Sequence, residues 1–431
     1  MTGGLHAAAA GGLLSAAGRE LLERLRGEDV TPARALTLGT ELRRDYPADL
    51  VAAALTQQSL RMAGRAKFSR AGDMLFTRAG LEQASSEQAA AHSAARLAPF
   101  GTVADLCCGI GGNLTALAGG PGRSGGGRLL AIDRDLTSLT FARHNVLVSP
   151  AAAEVRLVCA DVTEFVAAAA ARRVDAVFID PARRSGDRRL RAGVSEPPMD
   201  WCLSLAGWAP AVCIKAAPGL PRELVPAGWE AEFLAVGRGL KEALLWSPAL
   251  ASAPRRATIL PSGDTAGLGG DAPAGHTLTP EPGPAVPVAA PGEFLLDPSP
   301  AVTRAGLVED LARRLGAWKI DPMIAFLAAD RPVSTPFART LRVLDSMPWN
   351  EKKAARRLRE LGIGSADIRR RGLAGDVELI RRRLGLRGEG SAVIVLTRRE
   401  DRPWGLICEP AGGPPHPDQP GEPGQRNTRS L

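Results

Sequence analysis

Aromatic residues are scarce, at 4% of 431 positions, and Tyr46 is the single tyrosine. A binding site built from many stacked rings is excluded on that count. Lysine is scarce too. Lys67, Lys215, Lys241, Lys319, Lys352 and Lys353 are the six lysines among 54 basic residues. Six cysteines are present, none in a CxxC pair, and Cys107 and Cys108 are adjacent, too close for an ordinary disulfide. They read as small buried hydrophobes, and no metal-ligand spacing surrounds them. No apolar run reaches the 18 or so residues of a membrane span, and no basic region followed by an apolar core opens the chain. The expectation is a soluble, cytoplasmic protein with no metal and no membrane partner.

What is present is a length of 431 residues, enough for two or three domains with cores of their own, and an apolar fraction of 45%, which makes the chain globular rather than disordered. The formal charge is +8. That suits a polyanion such as RNA or DNA, and equally a compositional bias toward Ala, Gly, Pro and Arg.

Residues 1–98 read as a helical region. Leu21, Leu22 and Leu25, then Leu50, Ala53 and Leu55, recur at helical spacing. Thr31-Pro32 starts a helix, and Ser85 or Ser86 caps Glu87–Leu97. The texture changes at Gly101. Short β-rich runs at Val103–Cys108, Leu129–Asp133, Val155–Asp161, Ala176–Asp180, Val212–Lys215 and Ala243–Trp246 alternate with helical stretches. They predict βαβ units and a covered parallel sheet over 99–260. Phe233–Val236 and Ala243–Trp246 predict a closing antiparallel hairpin, with Thr258–Leu260 as an edge strand. Residues 261–292 read as a Pro/Gly-rich linker, 293–410 as a small α+β domain with one strong strand at Ala392–Leu396, and 411–431 as a disordered tail.

The strongest local signal is Asp105-Leu106-Cys107-Cys108-Gly109-Ile110-Gly111-Gly112. A strand ends at a carboxylate, and glycines turn the chain into a helix. Glycine admits positive φ and close backbone approach to a ligand, and the helix start presents free N–H groups. Three more strands end in acids: Asp133, placed for ribose hydroxyls; Asp161, placed for an adenine amino group; and Asp180-Pro181. Ligands of open α/β sheets bind at such strand ends. Each acid could also serve as a loop cap. Four in order behind a glycine loop favour a ligand.

These motifs resemble the class I S-adenosylmethionine-dependent methyltransferases, including the trimethylguanosine-synthase-like branch. The fold implied is α/β, a Rossmann-like sheet with an N-terminal helical region and a C-terminal α+β domain. The resemblance implies S-adenosyl-L-methionine as cofactor. It assigns Asp105, Cys107, Gly109, Gly111, Asp133, Asp161 and Val162 to cofactor binding and Asp180 and Pro181 to catalysis. Cys107 stands where a glycine is common. Amino-methylating members often carry Asp/Asn-Pro-Pro-aromatic, whereas Ala182-Arg183-Arg184 follows here, so the ring that stacks on a flipped base is missing.

Arg183, Arg184, Arg188, Arg189 and Arg191 crowd the mouth of the expected crevice. Arg183 and Arg184, with Lys215 at a later strand end, are the candidate substrate-binding cations. A solvated basic loop is the competing account.

The segments Lys67-Phe68, Phe76-Thr77 and Leu81–Ala84 resemble the lead-in of bacterial methyltransferases with a C-terminal THUMP-like domain. Leu296–Leu307, Ile368–Gly372 and Val393–Arg398 resemble that domain itself. The resemblance implies structured RNA, tRNA or rRNA, as the acceptor. The competing functions are methylation of a small molecule or protein, and RNA binding around a degenerate cofactor site. A dinucleotide oxidoreductase lacks a use for the third and fourth acids.

Overall fold

The computed structural model describes residues 11–119, 127–150, 153–169, 174–182, 184–185, 188–189, 195–262, 275–373 and 375–411. The expected tail at 412–431 and Arg183 lie outside the described residues. The chain divides into two compact units.

The first unit opens with helices α1 (Ala16–Arg24), α2 (Pro32–Leu42), α3 (Ala48–Gly64), α4 (Arg78–Gln83) and α5 (Glu87–Leu97). Hydroxyl caps start four of them. Ser15, Thr31, Thr77 and Ser86 each accept a backbone N–H at the helix start. Leu21, Leu25, Leu42, Val51, Leu75 and Phe76 form the apolar centre of this region.

Strands β1 (Thr102–Leu106), β2 (Arg128–Asp133), β3 (Glu154–Cys159), β4 (Ala176–Ile179) and β7 (Ala211–Ala216) follow, with helices α6 (Gly112–Gly119), α7 (Leu136–Leu147), α8 (Val162–Ala168) and α9 (Met199–Ser204) between them. Between β4 and β7 a two-residue ladder pairs β5 (Arg184–Ser185) with β6 (Arg188–Arg189). The five main strands are parallel in the order β7-β4-β1-β2-β3. β4 and β7 are buried at every position, as a sheet covered on both faces requires. The expected hairpin is present as β8 (Glu230–Val236) and β9 (Gly239–Trp246), with β9 antiparallel beside β7. Chain order reverses between β1 and β4, which opens a crevice at the carboxyl ends of the strands.

In the second unit β10 (Arg255–Leu260) is not an edge strand. β11 (His276–Leu278) pairs along it, at Ala257–Ile259. Part of the stretch expected to be a linker is therefore sheet. Farther along it, Lys319 N donates to Pro287 O, and Glu281 N donates to Asp310 Oδ1 across 2.9 Å. The Pro and Gly content was compatible with ordered extended chain because the pairing partners lie elsewhere in the sequence.

A seven-stranded sheet forms the rest of this unit. Its strands are β12 (Phe294–Pro298), β13 (Trp318–Lys319), β14 (Leu327–Ala329), β15 (Ala338–Pro348), β16 (Ile363–Arg370), β17 (Gly390–Arg399) and β18 (Arg402–Pro410), in the order β13-β14-β12-β15-β18-β17-β16. Helices α10 (Pro300–Ala305) and α11 (Val308–Leu315) follow β12. α12 (Glu351–Glu360) and α13 (Val377–Leu384) flank β16. Leu358, Ile368, Ile380 and Ile394 share one core cluster. β17 and β18 turn at Glu400 and Asp401, both at positive φ, the backbone that matches the right-handed twist of a hairpin.

Candidate active site

Asp105 is the penultimate residue of β1 and is 1% exposed. Neither of its oxygens has a hydrogen-bond partner among the described residues. Burial, with Asp180 and Asp133 nearby, holds its pKa well above the usual carboxylate range. A buried acceptor without a donor is costly in a folded chain and marks a place where a ligand's donor fits.

The next residues make the glycine turn. Cys107 has φ +60°, Gly109 +53° and Gly111 +84°. Cys107 therefore occupies the backbone conformation that glycine favours, which accounts for the glycine common at that position in the resembling family. Gly109 N donates to Asp133 Oδ2 across 2.8 Å, and Asp135 N donates to Asp133 Oδ1 across 2.9 Å. Asp133 thus ties the turn to the end of β2 and keeps further acceptor capacity on each oxygen. A Cβ at Gly109 would meet nothing within 4 Å, so the space above this turn is open.

β3 ends at Cys159, two residues earlier than expected. Asp161 caps α8, accepting from Thr163 N across 2.8 Å through Oδ1. The hydrogen bond that the Thr163 hydroxyl donates to the same oxygen, together with that backbone bond, holds its pKa below the usual range. The cap account and the ligand account are therefore not exclusive, because Asp161 and Val162 also face the crevice.

Asp180 follows β4. Lys215 Nζ, at the end of β7, donates to Asp180 Oδ2 across 2.7 Å. Lys215 is 4% exposed and absent from the crevice wall. A surface phosphate could not reach it, which corrects the expectation of a phosphate contact. Its second neighbour is Glu242 Oε2 at 3.8 Å, which accepts a hydrogen bond from Ser85 Oγ across 2.7 Å.

These elements enclose one crevice of about 970 Å³, walled by Asp105, Cys107, Gly109, Asp133, Asp161, Val162, Asp180 and Pro181. All the residues expected to bind cofactor or act in catalysis meet there except Gly111, which packs against Ala142 so closely that a Cβ added there would lie 3.2 Å from it. Arg184 lies in β5.

Sequence reasoning missed an entire wall. Thr77, Arg78, Glu82, Gln83 and Ala84 line the same crevice from the N-terminal region. Lys67 fixes that wall, its Nζ donating to the carbonyls of Leu81, Glu82 and Ala84 across 2.7, 3.0 and 2.8 Å. In a chain that uses arginine nearly everywhere, a lysine at Lys67 or Lys215 was the available signal. A small ammonium suits a cage of oxygens better than a forked guanidinium. Arg134 and Glu196, which line the same crevice, pair across 2.8 Å.

The site fits S-adenosylmethionine. An orphaned buried carboxylate awaits a cationic or N–H donor, a second carboxylate retains acceptor capacity, and the turn at Gly109 leaves room. Among the described residues there is no group of three or more metal-ligating side chains, and no helix is long and apolar enough to cross a membrane.

Comparison with known proteins agrees with this geometry. Residues 100–184 match the model of the RNA cap guanine-N2 methyltransferase family, and residues 338–410 match that of the THUMP domain-like family. Residues 6–64 match a domain of unknown function. Two proteins of Mycobacterium tuberculosis, from strains CDC 1551 and H37Rv, are each 37% identical over 330 residues, 75% of this chain and 84% of theirs. Both are described as uncharacterized S-adenosylmethionine-dependent methyltransferases. A crystal structure from Porphyromonas gingivalis W83, described as a methyltransferase, aligns over 88% of this chain and 99% of its own, with TM-score 0.69 and 20% identity. That last likeness is one of fold.

Proposed function

We propose, for a chain that belongs to the S-adenosylmethionine-dependent methyltransferases, that the methyl acceptor is a base nitrogen of tRNA or rRNA. The observation that carries this reading is Asp180, held at the crevice by a buried lysine. The match of 100–184 to the RNA cap guanine-N2 methyltransferase family and the THUMP-like C-terminal region support RNA as its source.

Asp133 would hold the cofactor's ribose hydroxyls, Asp161 and Val162 its adenine, and Asp105 and the turn at Cys107–Gly109 the amino-acid end. When bound, S-adenosylmethionine supplies a methyl group already activated for transfer. The chain's task is then alignment, which is catalysis by proximity. Lys215 occupies Oδ2 of Asp180. Oδ1 has no hydrogen-bond partner among the described residues and is available to an acceptor N–H. That contact orients the nitrogen and stabilises positive charge developing on it. Pro181 stiffens the turn behind it. Arg183 and Arg184 follow directly and would meet acceptor phosphates.

Mass spectrometry of nucleosides from tRNA and rRNA of a deletion strain tests the acceptor. Loss of one methylated nucleoside, restored by the parent gene, is the expected result. Unchanged nucleosides in both RNA pools would move the acceptor to a small molecule or protein.

A further inference from the structure

The second unit has a concave site of its own, lined by none of the residues assigned to methyl transfer. The end of β12, the start of β15, the end of β16 and the turn after β8 surround a cavity of about 190 Å³. Arg238, Arg339, Arg369 and Arg371 line it, with Asp297 the one carboxylate among its lining residues.

The four arginines are not equivalent. Arg371 is committed to the fold. It pairs with Asp297 Oδ1 across 2.8 Å, donates to Ala325 O across 2.7 Å, and lies over the Phe326 ring at 4.9 Å. Arg369 Nε pairs with Asp367 Oδ2 across 2.9 Å. Arg339 is different. Its side chain is 16% exposed, its ion-pair contact is that same Asp367 Oδ2 at 3.6 Å, and no hydrogen-bond acceptor meets its guanidinium among the described residues. Arg238 is exposed and makes no ion pair among them. Three of the four guanidinium groups thus share two carboxylates, Asp297 and Asp367, and Arg238 pairs with neither.

A guanidinium carries five donors, and leaving them unmet in a half-buried place is costly. Burial and the charges of Arg238 and Arg369 hold Arg339 below its ordinary pKa. A cation crowded by cations, in a concavity, is the electrostatic complement of an anion.

We propose that this cavity is a phosphate site, with Arg339 as its principal ligand and Arg238 and Arg369 at its rim. It rests on the RNA reading above and adds where the acceptor strand is held: the phosphate is one of the RNA's own. The cavity is large enough for a phosphate and its sugar and too small for a duplex. It therefore takes a strand end or a splayed nucleotide rather than a helical stem.

The test is binding of bulk tRNA to the full chain across a salt series, with Arg339→Ala, Arg339→Lys and Arg238→Ala beside the parent. Each phosphate contact adds close to one unit to the slope of log affinity against log salt. Arg339→Ala is expected to lower the slope by about one and to weaken binding about five- to tenfold at 0.15 M salt. Arg339→Lys, which keeps the charge, should keep most of the slope. S-adenosylmethionine affinity should stay at the parent value, and a parent-like melting temperature certifies the fold of the substituted unit. Should Arg339→Ala fail that check, exposed Arg238→Ala carries the test with a smaller loss of the same sign. Parent-like slope and affinity in the folded variants overturn the proposal. A parent that binds no tRNA defeats the RNA reading instead. Inorganic phosphate then tests the anion site by itself: it raises the melting temperature of the parent but not of Arg339→Ala if the site exists, and of neither if it does not.

Discussion

Lys215 donates to Asp180 across 2.7 Å, joining the ends of two adjacent parallel strands. Ile179 pairs with Ile214, so the next residue on each strand stands beside the other. The pair couples the carboxylate proposed to meet the acceptor to a buried cation, and Glu242 Oε2 lies 3.8 Å from that cation. Lys215→Met would leave Asp180 and Glu242 without their shared positive charge. Breaking a buried pair from one side typically costs about 3–5 kcal/mol. Urea unfolding should show a loss of that order, and Lys215→Met/Glu242→Met should recover part of it. No destabilisation in the single variant would mean that the pair holds nothing.

Asp133 has a double attachment, to the glycine turn and to the start of α7. Asp133→Ala should weaken S-adenosylmethionine binding by about 1.5–3 kcal/mol, the range for hydrogen bonds to a charged group. Calorimetry on the purified protein reads this. Unchanged affinity would remove Asp133 from the ribose.

The two glycines of the turn should fail differently. A Cβ at Gly111 would lie 3.2 Å from Ala142, so Gly111→Ala should lower the melting temperature. A Cβ at Gly109 enters open crevice, so Gly109→Ala should lose cofactor affinity by a larger factor than Gly111→Ala does. Both carry a positive-φ strain of about 1–2 kcal/mol. Equal cofactor affinities in the two variants would contradict this division.

Much of the crevice was legible because parallel strands bring their carboxyl ends to one edge. Asp105, Asp133, Asp161 and Asp180 are far apart in sequence, and a strand-end rule alone collects them. The wall at Thr77–Ala84 was not legible, because a short polar helix has no pattern that says what it faces. The Lys215–Asp180 pair was hidden for a related reason: a strand-end lysine reads as surface until register supplies its neighbour. In the seven-stranded sheet only Ala392–Leu396 stood out as a strand. β15 has few buried positions and several charged ones, so its pairing with β12 and β18 left little trace in hydropathy.

Asp105 predicts a pH dependence. Its folded pKa is raised by burial, so the folded chain binds the proton more tightly than the unfolded chain does. The associated stability is fully present below the unfolded value and is lost as pH rises through the folded one. Asp105→Asn should therefore stabilise the cofactor-free protein near pH 7, with the advantage shrinking as pH falls toward 4 (about the ordinary Asp value). If cationic S-adenosylmethionine ionises Asp105, binding should release a proton. Calorimetry in buffers of different ionisation enthalpy reads that release, which Asp105→Asn should abolish. Proton release unchanged by the substitution would assign it elsewhere.

The central claim is that Asp180 holds the acceptor nitrogen of an RNA base. Its most direct test is single-turnover transfer of a labelled methyl group from S-adenosylmethionine to total RNA, comparing the parent with Asp180→Ala and Asp180→Asn. Asp180→Ala should slow transfer by about 10²–10³, the scale for losing one preorganised polar contact in a transition state. Asp180→Asn, which keeps an acceptor oxygen, should retain part of the rate, and cofactor affinity should change little in either. Transfer by Asp180→Ala at the parent's rate would contradict the account.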